Sequence, residues 1–195
     1  VIGETFSWLG EALLATAVIK EAGLPAVVTL TVHRHGSARE GASPAEACRQ
    51  LEDAGADVVG INCGRGPATM LPLLEEVRAA VTVPVAGLPV PYRTTESHPT
   101  FHSLEDPEAP DPAIAARPFP IALEPFTCSR YEIAEFAHEA DAFGVGYLGI
   151  CCGNSPSILV TAGTPQRSRT VSGMCSDLSV VALAASVSAT VMPCT

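Results

Sequence analysis

From Val1 to about residue 155, a short apolar run rich in β-branched residues is followed by a longer run of helical character, again and again, and this alternation constrains the fold more than any other feature. When a helix separates two strands, it returns the chain to the start of the sheet, so the next strand runs parallel to the last. The predicted strands are Val1 to Glu4, Ala26 to Thr31, Asp57 to Cys63, Val83 to Leu88 and Tyr147 to Cys151. The predicted helices are Trp8 to Ala22, Pro44 to Ala54, Ala68 to Val81 and Arg130 to Phe143. Ser43-Pro44-Ala45-Glu46 and Ser129-Arg130-Tyr131-Glu132 fit capping boxes, in which two side chains satisfy backbone N–H groups left over at a helix start. Gly23, Gly55 and Gly144 follow three of the helices, where a left-handed residue ends the last turn.

Five βα steps of about 30 residues each compare with the eight steps and roughly 250 residues of a closed (β/α)8 barrel. The expected class is therefore α/β: a TIM barrel present in N-terminally truncated form, with about five βα units, and an open doubly wound sheet as the competing arrangement. The chain opens at Val1 inside a predicted strand without an initiator Met, so upstream sequence is expected. Residues 89–128 break the rhythm. Their nine prolines oppose a helix, and the stretch is predicted as one long loop of the kind that is usually functional or disordered. Within it, Ile121 to Glu124 has the composition of an extra strand outside the parallel sheet. After Pro156 the composition shifts to Ser, Thr, Val and Ala without a clean period, which divides the chain into a barrel domain at 1–156 and a low-order tail at 157–195.

Charge narrows the function. Eleven Lys and Arg against 21 Asp and Glu give a formal charge of −10, which disfavours nucleic acid and anionic membrane surfaces as partners. No run reaches the roughly 18 consecutive apolar residues of a membrane span, and no basic segment followed by an apolar one marks an export signal. Seven cysteines without such a signal argue for reduced thiols in a cytoplasmic protein, where odd counts and adjacent pairs point to chemistry or metal binding more than to disulfides.

Parallel α/β architectures present their reactive groups at the C-terminal ends of the strands. Three such ends carry unusual residues: Glu4, then Asn62-Cys63-Gly64, then Cys151-Cys152-Gly153. Three thiols on one rim form a soft ligand set suited to Zn²⁺, and three protein ligands leave the fourth tetrahedral position open, as in catalytic zinc sites. Neighbouring strand residues face opposite ways, so Cys151 and Cys152 share one ion only if the backbone bends, which Gly153 permits. On residue type and spacing alone, ordinary packing of small apolar thiols is the reading that stands ahead of metal binding.

The segments Asp57-Val-Val-Gly-Ile-Asn-Cys63, Pro89-Val-Pro-Tyr-Arg-Thr-Thr95, Ile121-Ala-Leu-Glu-Pro125 and Gly146-Tyr-Leu-Gly-Ile-Cys-Cys-Gly153 resemble the betaine–homocysteine S-methyltransferase and homocysteine S-methyltransferase family. The likeness spans roughly residues 1–156. It implies a (β/α)8 barrel with zinc held by Cys63, Cys151 and Cys152, and a substrate site in which Glu4 holds the amino group of homocysteine and Asn62 contributes. It implies methyl transfer to the homocysteine thiol to give methionine, betaine being the first expected donor and S-methylmethionine, a folate or a corrinoid the alternatives. A homo-oligomer is implied as well. A catalytically silent fragment or partner-dependent subunit is the reading from a different class, since five βα units leave two sheet edges unpaired.

The remaining candidates have plainer expectations. Cys48 and Cys128 are expected to pack or to be incidentally exposed, and Cys175 and Cys194 have no assigned role. His33 and His35 are expected on a solvated loop, with reach into a site as the lesser reading; Glu124 and Arg130 are expected as an ion pair or as solvated side chains ahead of a role in forming or orienting the site; and Tyr92 is expected either in the substrate cavity or under Pro89 and Pro91. Trp8 and Phe6 are expected in the core. Gly64-Arg65-Gly66 lacks the Lys-Ser or Lys-Thr of a phosphate loop.

Overall fold

Alternate positions of the second and third strands separate two environments. Val28, Leu30, Val59 and Ile61 join Val85 in the main hydrophobic core with apolar residues of the helices, whereas Thr29 and Asn62 lie on the other face and hydrogen-bond to each other. The period of two on a sheet covered by helices follows from the pleat. The computed structural model describes residues 1–153; the tail predicted at 157–195, with Cys175 and Cys194, lies outside them.

Among the described residues five strands form one parallel sheet: β1 (Ile2–Phe6), β2 (Val27–Leu30), β3 (Val58–Asn62), β4 (Val85–Leu88) and β5 (Tyr147–Leu148). Their spatial order is β1-β2-β3-β4-β5. A doubly wound sheet reverses its strand order at a switch point, and no reversal occurs here. The helices agree: α1 (Leu9–Glu21) packs on α2 (Pro44–Asp53), α2 on α3 (Pro67–Ala80), and α3 on α5 (Arg130–Ala142), in one continuous row. The sheet is thus singly wound, the arrangement from which barrels are built.

The predicted helix boundaries hold to within a residue because local chemistry sets them. Ser43 and Ser129 each accept from the backbone N–H three residues on while Glu46 and Glu132 reach back, closing both capping boxes. Gly23, Gly55 and Gly144 adopt φ of 70, 94 and 91° at the three helix ends.

Three expectations need correction. β1 runs on to Phe6, so Glu4 sits inside the strand and not at its end. The ladder with β2 shifts register between Gly3 and Phe6, a bulge in which Thr5 takes φ of 63°. Next, the proline-rich stretch does contain a helix, α4 (Pro112–Ala116), because Pro112 occupies the first turn, where no N–H is needed, and Asp111 caps it. Two single turns of 3-10 helix flank it, at Phe101–Ser103 and Glu124–Phe126. Finally, Ile121 to Glu124 forms no strand: Ile121 is exposed in a turn and Glu124 begins the second 3-10 turn.

Candidate metal and substrate site

The site begins with the way β3 ends. Asn62 is 1% exposed, and its side-chain oxygen accepts from the Thr5 N–H at 2.8 Å and the Thr29 hydroxyl at 2.9 Å. Its amide nitrogen donates to Thr5 Oγ1 at 2.6 Å and lies 3.9 Å from the Cys151 sulfur. One buried amide therefore ties β1, β2 and β3 together, braces the bulge at Glu4 and Thr5, and touches the last segment of the sheet. Bulges re-aim side chains at the rims of such sheets.

Past Asn62 the chain turns sharply. Cys63 and Gly64 have φ of 60 and 71°, both left-handed, while the Cys63 N–H still donates to Leu88 at 2.9 Å. A left-handed conformation at a non-glycine residue costs about 1–3 kcal/mol and is held only by its surroundings. Here the turn carries the Cys63 thiol off the strand line. Cys151 and Cys152 follow β5 on a segment fixed by the Cys151 N–H, which donates to Pro89 O at 2.8 Å. Gly153 comes next at φ of 90°, and a Cβ there would stand 2.2 Å from the Tyr92 hydroxyl.

The three sulfurs converge. Cys63 Sγ lies 3.7 Å from Cys152 Sγ, Cys152 Sγ lies 3.9 Å from Cys151 Sγ, and all three fall within 4.8 Å of one another. Two sulfurs each about 2.3 Å from one tetrahedral zinc stand about 3.8 Å apart, so the trio is spaced for a single ion. Among the described residues no fourth Cys, His or carboxylate joins the group.

The thiols also share their protons unequally. Hydrogen bonds from Cys151 and then Cys63 pull Cys152 down to about 3. The Cys151 thiol is pushed far up, first by its bond to Cys152, then by Cys63 and by burial. At Cys63 the bond from Cys151 pulls down, but Cys152 and burial outweigh it and bring the thiol up to about 11. Cys152, the most exposed of the three, is the sulfur toward which the other two point. A soft divalent cation is the chemistry that suits three thiols crowded in this way. Glu4, half-buried in the bulge, has its carboxyl raised by burial and then by the charge of Cys152, which places it within electrostatic reach of the cluster.

Cys63 and Cys152 open into a cavity of about 930 Å³ between the β2–α2 segment and the proline-rich loop. Above the thiols that loop builds an aromatic group: Tyr92 stacks on Phe101 at 6.0 Å between centroids, and Phe101 meets Phe119 edge-on at 5.0 Å. Phe101 is held there by its N–H, which donates to Gly64 O at 2.9 Å. Contrary to the sequence expectation, Trp8 lines this cavity and is 45% exposed. His33 also faces the cavity, not open solvent, and its Nε2 is buried without a partner. Burial first, then Arg39, lowers its pKa. His102 and Arg65 carry no sequence signal at all. His102 sits in the single 3-10 turn Phe101–Ser103 of the proline-rich stretch, and the buried Arg65 guanidinium donates to the His33 carbonyl at 2.8 Å. Cys48 and Cys128 are both buried, and Glu124 and Arg130 are both exposed and form no ion pair among the described residues.

A family model described as homocysteine S-methyltransferase matches residues 1–160. The chain belongs to this family. It is similar to betaine–homocysteine S-methyltransferase 1 of Danio rerio, with 36% identity over 157 residues, covering 80% of this chain and 37% of that relative. It is also similar to the S-methylmethionine–homocysteine S-methyltransferase BHMT2 of Rattus norvegicus, with 32% identity over 159 residues, covering 80% of this chain and 41% of the relative. The chain thus spans between 37% and 41% of the length of these two members of the family. Among solved structures, the homocysteine methyltransferase MmuM of Escherichia coli matches with a TM-score of 0.56 at 13% identity, over 83% of this chain and 46% of that one. That likeness shows a shared α/β fold with a parallel sheet. No helix among the described residues is long and apolar enough to cross a membrane.

Proposed function

We propose that this chain is the part of a zinc-dependent homocysteine S-methyltransferase that holds the metal and the acceptor, and that the enzyme transfers a methyl group from betaine to the homocysteine thiol to give methionine. The observation that carries the proposal is the spacing of the three sulfurs, at 3.7 and 3.9 Å for the two closest pairs. Cys63, Cys151 and Cys152 are the ligands, and the sheet is read as an arc of a (β/α)8 barrel. Zinc at such a trio supplies Lewis acidity that deprotonates an added thiol near neutral pH, where a free thiol with pKa of about 8.5 is mostly protonated.

The protein's own residues do the rest. Glu4 offers a carboxylate to the acceptor ammonium from the bulge in β1. Asn62 acts through position: with its amide engaged by Thr5 and Thr29, it holds the bulge and the Cys151 segment in register and leaves substrate contact to Glu4. Phe101 and its aromatic neighbours offer π faces to a methylated ammonium, which favours an onium donor such as betaine and excludes water from the transferring carbon. Reduced thiols suit the cytoplasm, the proposed location.

The expressed chain is expected to retain about one zinc per molecule, measured by atomic emission after dialysis. Cys63→Ala and Cys152→Ala are each expected to lose it. Zinc retained in both variants removes the metal assignment, and zinc-loaded protein that makes no methionine from homocysteine with betaine or S-methylmethionine removes the activity of this chain.

A further inference from the structure

The cavity that receives Cys63 and Cys152 differs in charge from the chain around it. The whole chain carries −10, yet the cavity walls include Arg34, Arg39, His33, His35 and His102 and not one Asp or Glu. Among the described residues neither Arg34 nor Arg39 forms an ion pair. In an acidic protein, two arginines left without carboxylates at the mouth of a thiol cavity form a wall that an anion would complete.

The backbone that carries them is fixed. The Arg39 N–H donates to Ser7 O at 3.0 Å, and the Glu40 carboxylate accepts from the Gly10 N–H at 3.1 Å, so one end of the segment is tied to the β1–α1 junction. Its other end is held by Arg65, whose guanidinium, 6% exposed, reaches the His33 carbonyl at 2.8 Å and the Thr69 carbonyl at 3.4 Å. A buried guanidinium bonded only to carbonyls is an expensive anchor, because its charge has no carboxylate opposite. Arg65 starts two residues after Cys63, so one short turn sets both a sulfur of the cluster and the segment bearing the cations.

We propose that this basic wall receives a substrate carboxylate, with Arg34 and Arg39 as the contacting groups and Arg65 as the positioning residue that holds their segment beside the thiols. The guanidinium fork matches a carboxylate in two parallel hydrogen bonds, and a preorganised pair of donors loses little on binding. The inference rests on the reading of the thiol cavity as the substrate site. It adds a selectivity: substrates that carry a carboxylate enter, and their analogues without one are disfavoured. Acceptor and donor could each supply that group, since homocysteine and betaine both carry one.

Trp8 is the only tryptophan of the chain and lines the same cavity, so its fluorescence reports occupancy without any need for turnover. The full chain is titrated with two matched pairs that differ in the carboxylate: homocysteine against 3-aminopropane-1-thiol for the acceptor, and betaine against choline for the donor. The wild-type protein is expected to prefer the carboxylate member of at least one pair by about tenfold, the scale of one charge-assisted hydrogen-bonded pair. The double variant Arg34→Gln with Arg39→Gln is expected to bring that ratio to within about threefold while zinc content stays at the wild-type value. Arg65→Leu is expected to lower the same ratio, and Arg65→Lys to lower it less. Because a general loss of fold weakens both members of a pair alike, the ratio separates positioning from folding. Equal affinities within both pairs for the wild type, or a preference that survives the double variant, overturn the inference. A wild-type chain without zinc but with an arginine-dependent carboxylate preference would keep this inference and sink the metal reading.

Discussion

Cys63 and the Cys151–Cys152 pair reach one point from supports of unequal strength. Cys63 follows β3, whose register is paired with β2 on one side and β4 on the other, and it is turned by two successive left-handed residues. Cys151 and Cys152 follow the two-residue β5, which pairs only with β4 among the described residues. One thiol is thus held by the sheet, in a conformation that costs energy, and the other two are held by a few main-chain hydrogen bonds. An ion shared by both would stabilise the second support far more than the first, since binding to the folded arrangement alone contributes to its stability.

The most severe test of that contrast is removal of metal by chelation, followed by amide exchange. The amides of Leu148 and Cys151 are expected to exchange at least about 100-fold faster, those of Ile61 and Asn62 less than about tenfold faster, since opening of a weakly held segment needs less free energy than opening of the core. Equal acceleration on the two sides would dissolve the comparison.

Asn62→Leu strikes the element both supports share. It would leave the buried Thr29 hydroxyl and the half-buried Thr5 N–H without acceptors, and a loss of about 2 kcal/mol is expected from urea unfolding of the metal-free protein. A loss below about 1 kcal/mol would mean that the bulge holds itself.

The backbone contrast is sharpened by paired substitutions in the metal-free state. At position 63, where φ is 60°, Cys63→Gly is expected to be about 1 kcal/mol more stable than Cys63→Ala. Cys151 has no positive φ, so Cys151→Gly is expected to be less stable than Cys151→Ala, by about 0.5 kcal/mol. The same sign at both positions would show that the turn at Cys63 is unstrained.

The smallest effect concerns the start of the proline-rich loop, tied to α5 by Arg93 and Glu132 at 2.6 and 2.7 Å. Arg93, then the Ser129 cap, hold the Glu132 carboxyl down at about 2. Its folded value lies below the unfolded one of about 4.3, so the contribution is complete above that pH and fades as pH falls toward 2. The two side chains are 49% and 36% exposed, and screening limits Glu132→Gln to about 0.5 kcal/mol at pH 7, with the gap to wild type narrowing below pH 4 in a Tm series.

Most of the βα frame was legible in the residues because it rests on local chemistry: Ser43 and Ser129 with their glutamates start helices, glycines end them, and valine-rich runs fill the layer beneath. The convergence of Cys63 with Cys151 and Cys152 was legible only through the resemblance, since spacing alone put core packing ahead of a metal site. The bulge at Glu4 and Thr5 had no signal. It arises because the side chain of Asn62, 57 residues away, captures the Thr5 backbone. The same holds for Arg65, whose burial depends on carbonyls of His33 and Thr69, and for Trp8, which an apolar tally assigned to the core and the fold set at a cavity wall.

Residue order alone was enough for the parallel architecture and for the rim on which the thiols lie, because hydrophobic period, capping and helix-ending glycines act over a few residues. It left open which way each rim side chain turns, and what charge surrounds the thiols. Those were decided by tertiary contacts, the hold of Asn62 on the first strand and of Arg65 on the basic segment, since a left-handed turn, a bulge and an unpaired guanidinium are each unfavourable alone and persist only where distant parts of the chain close around them.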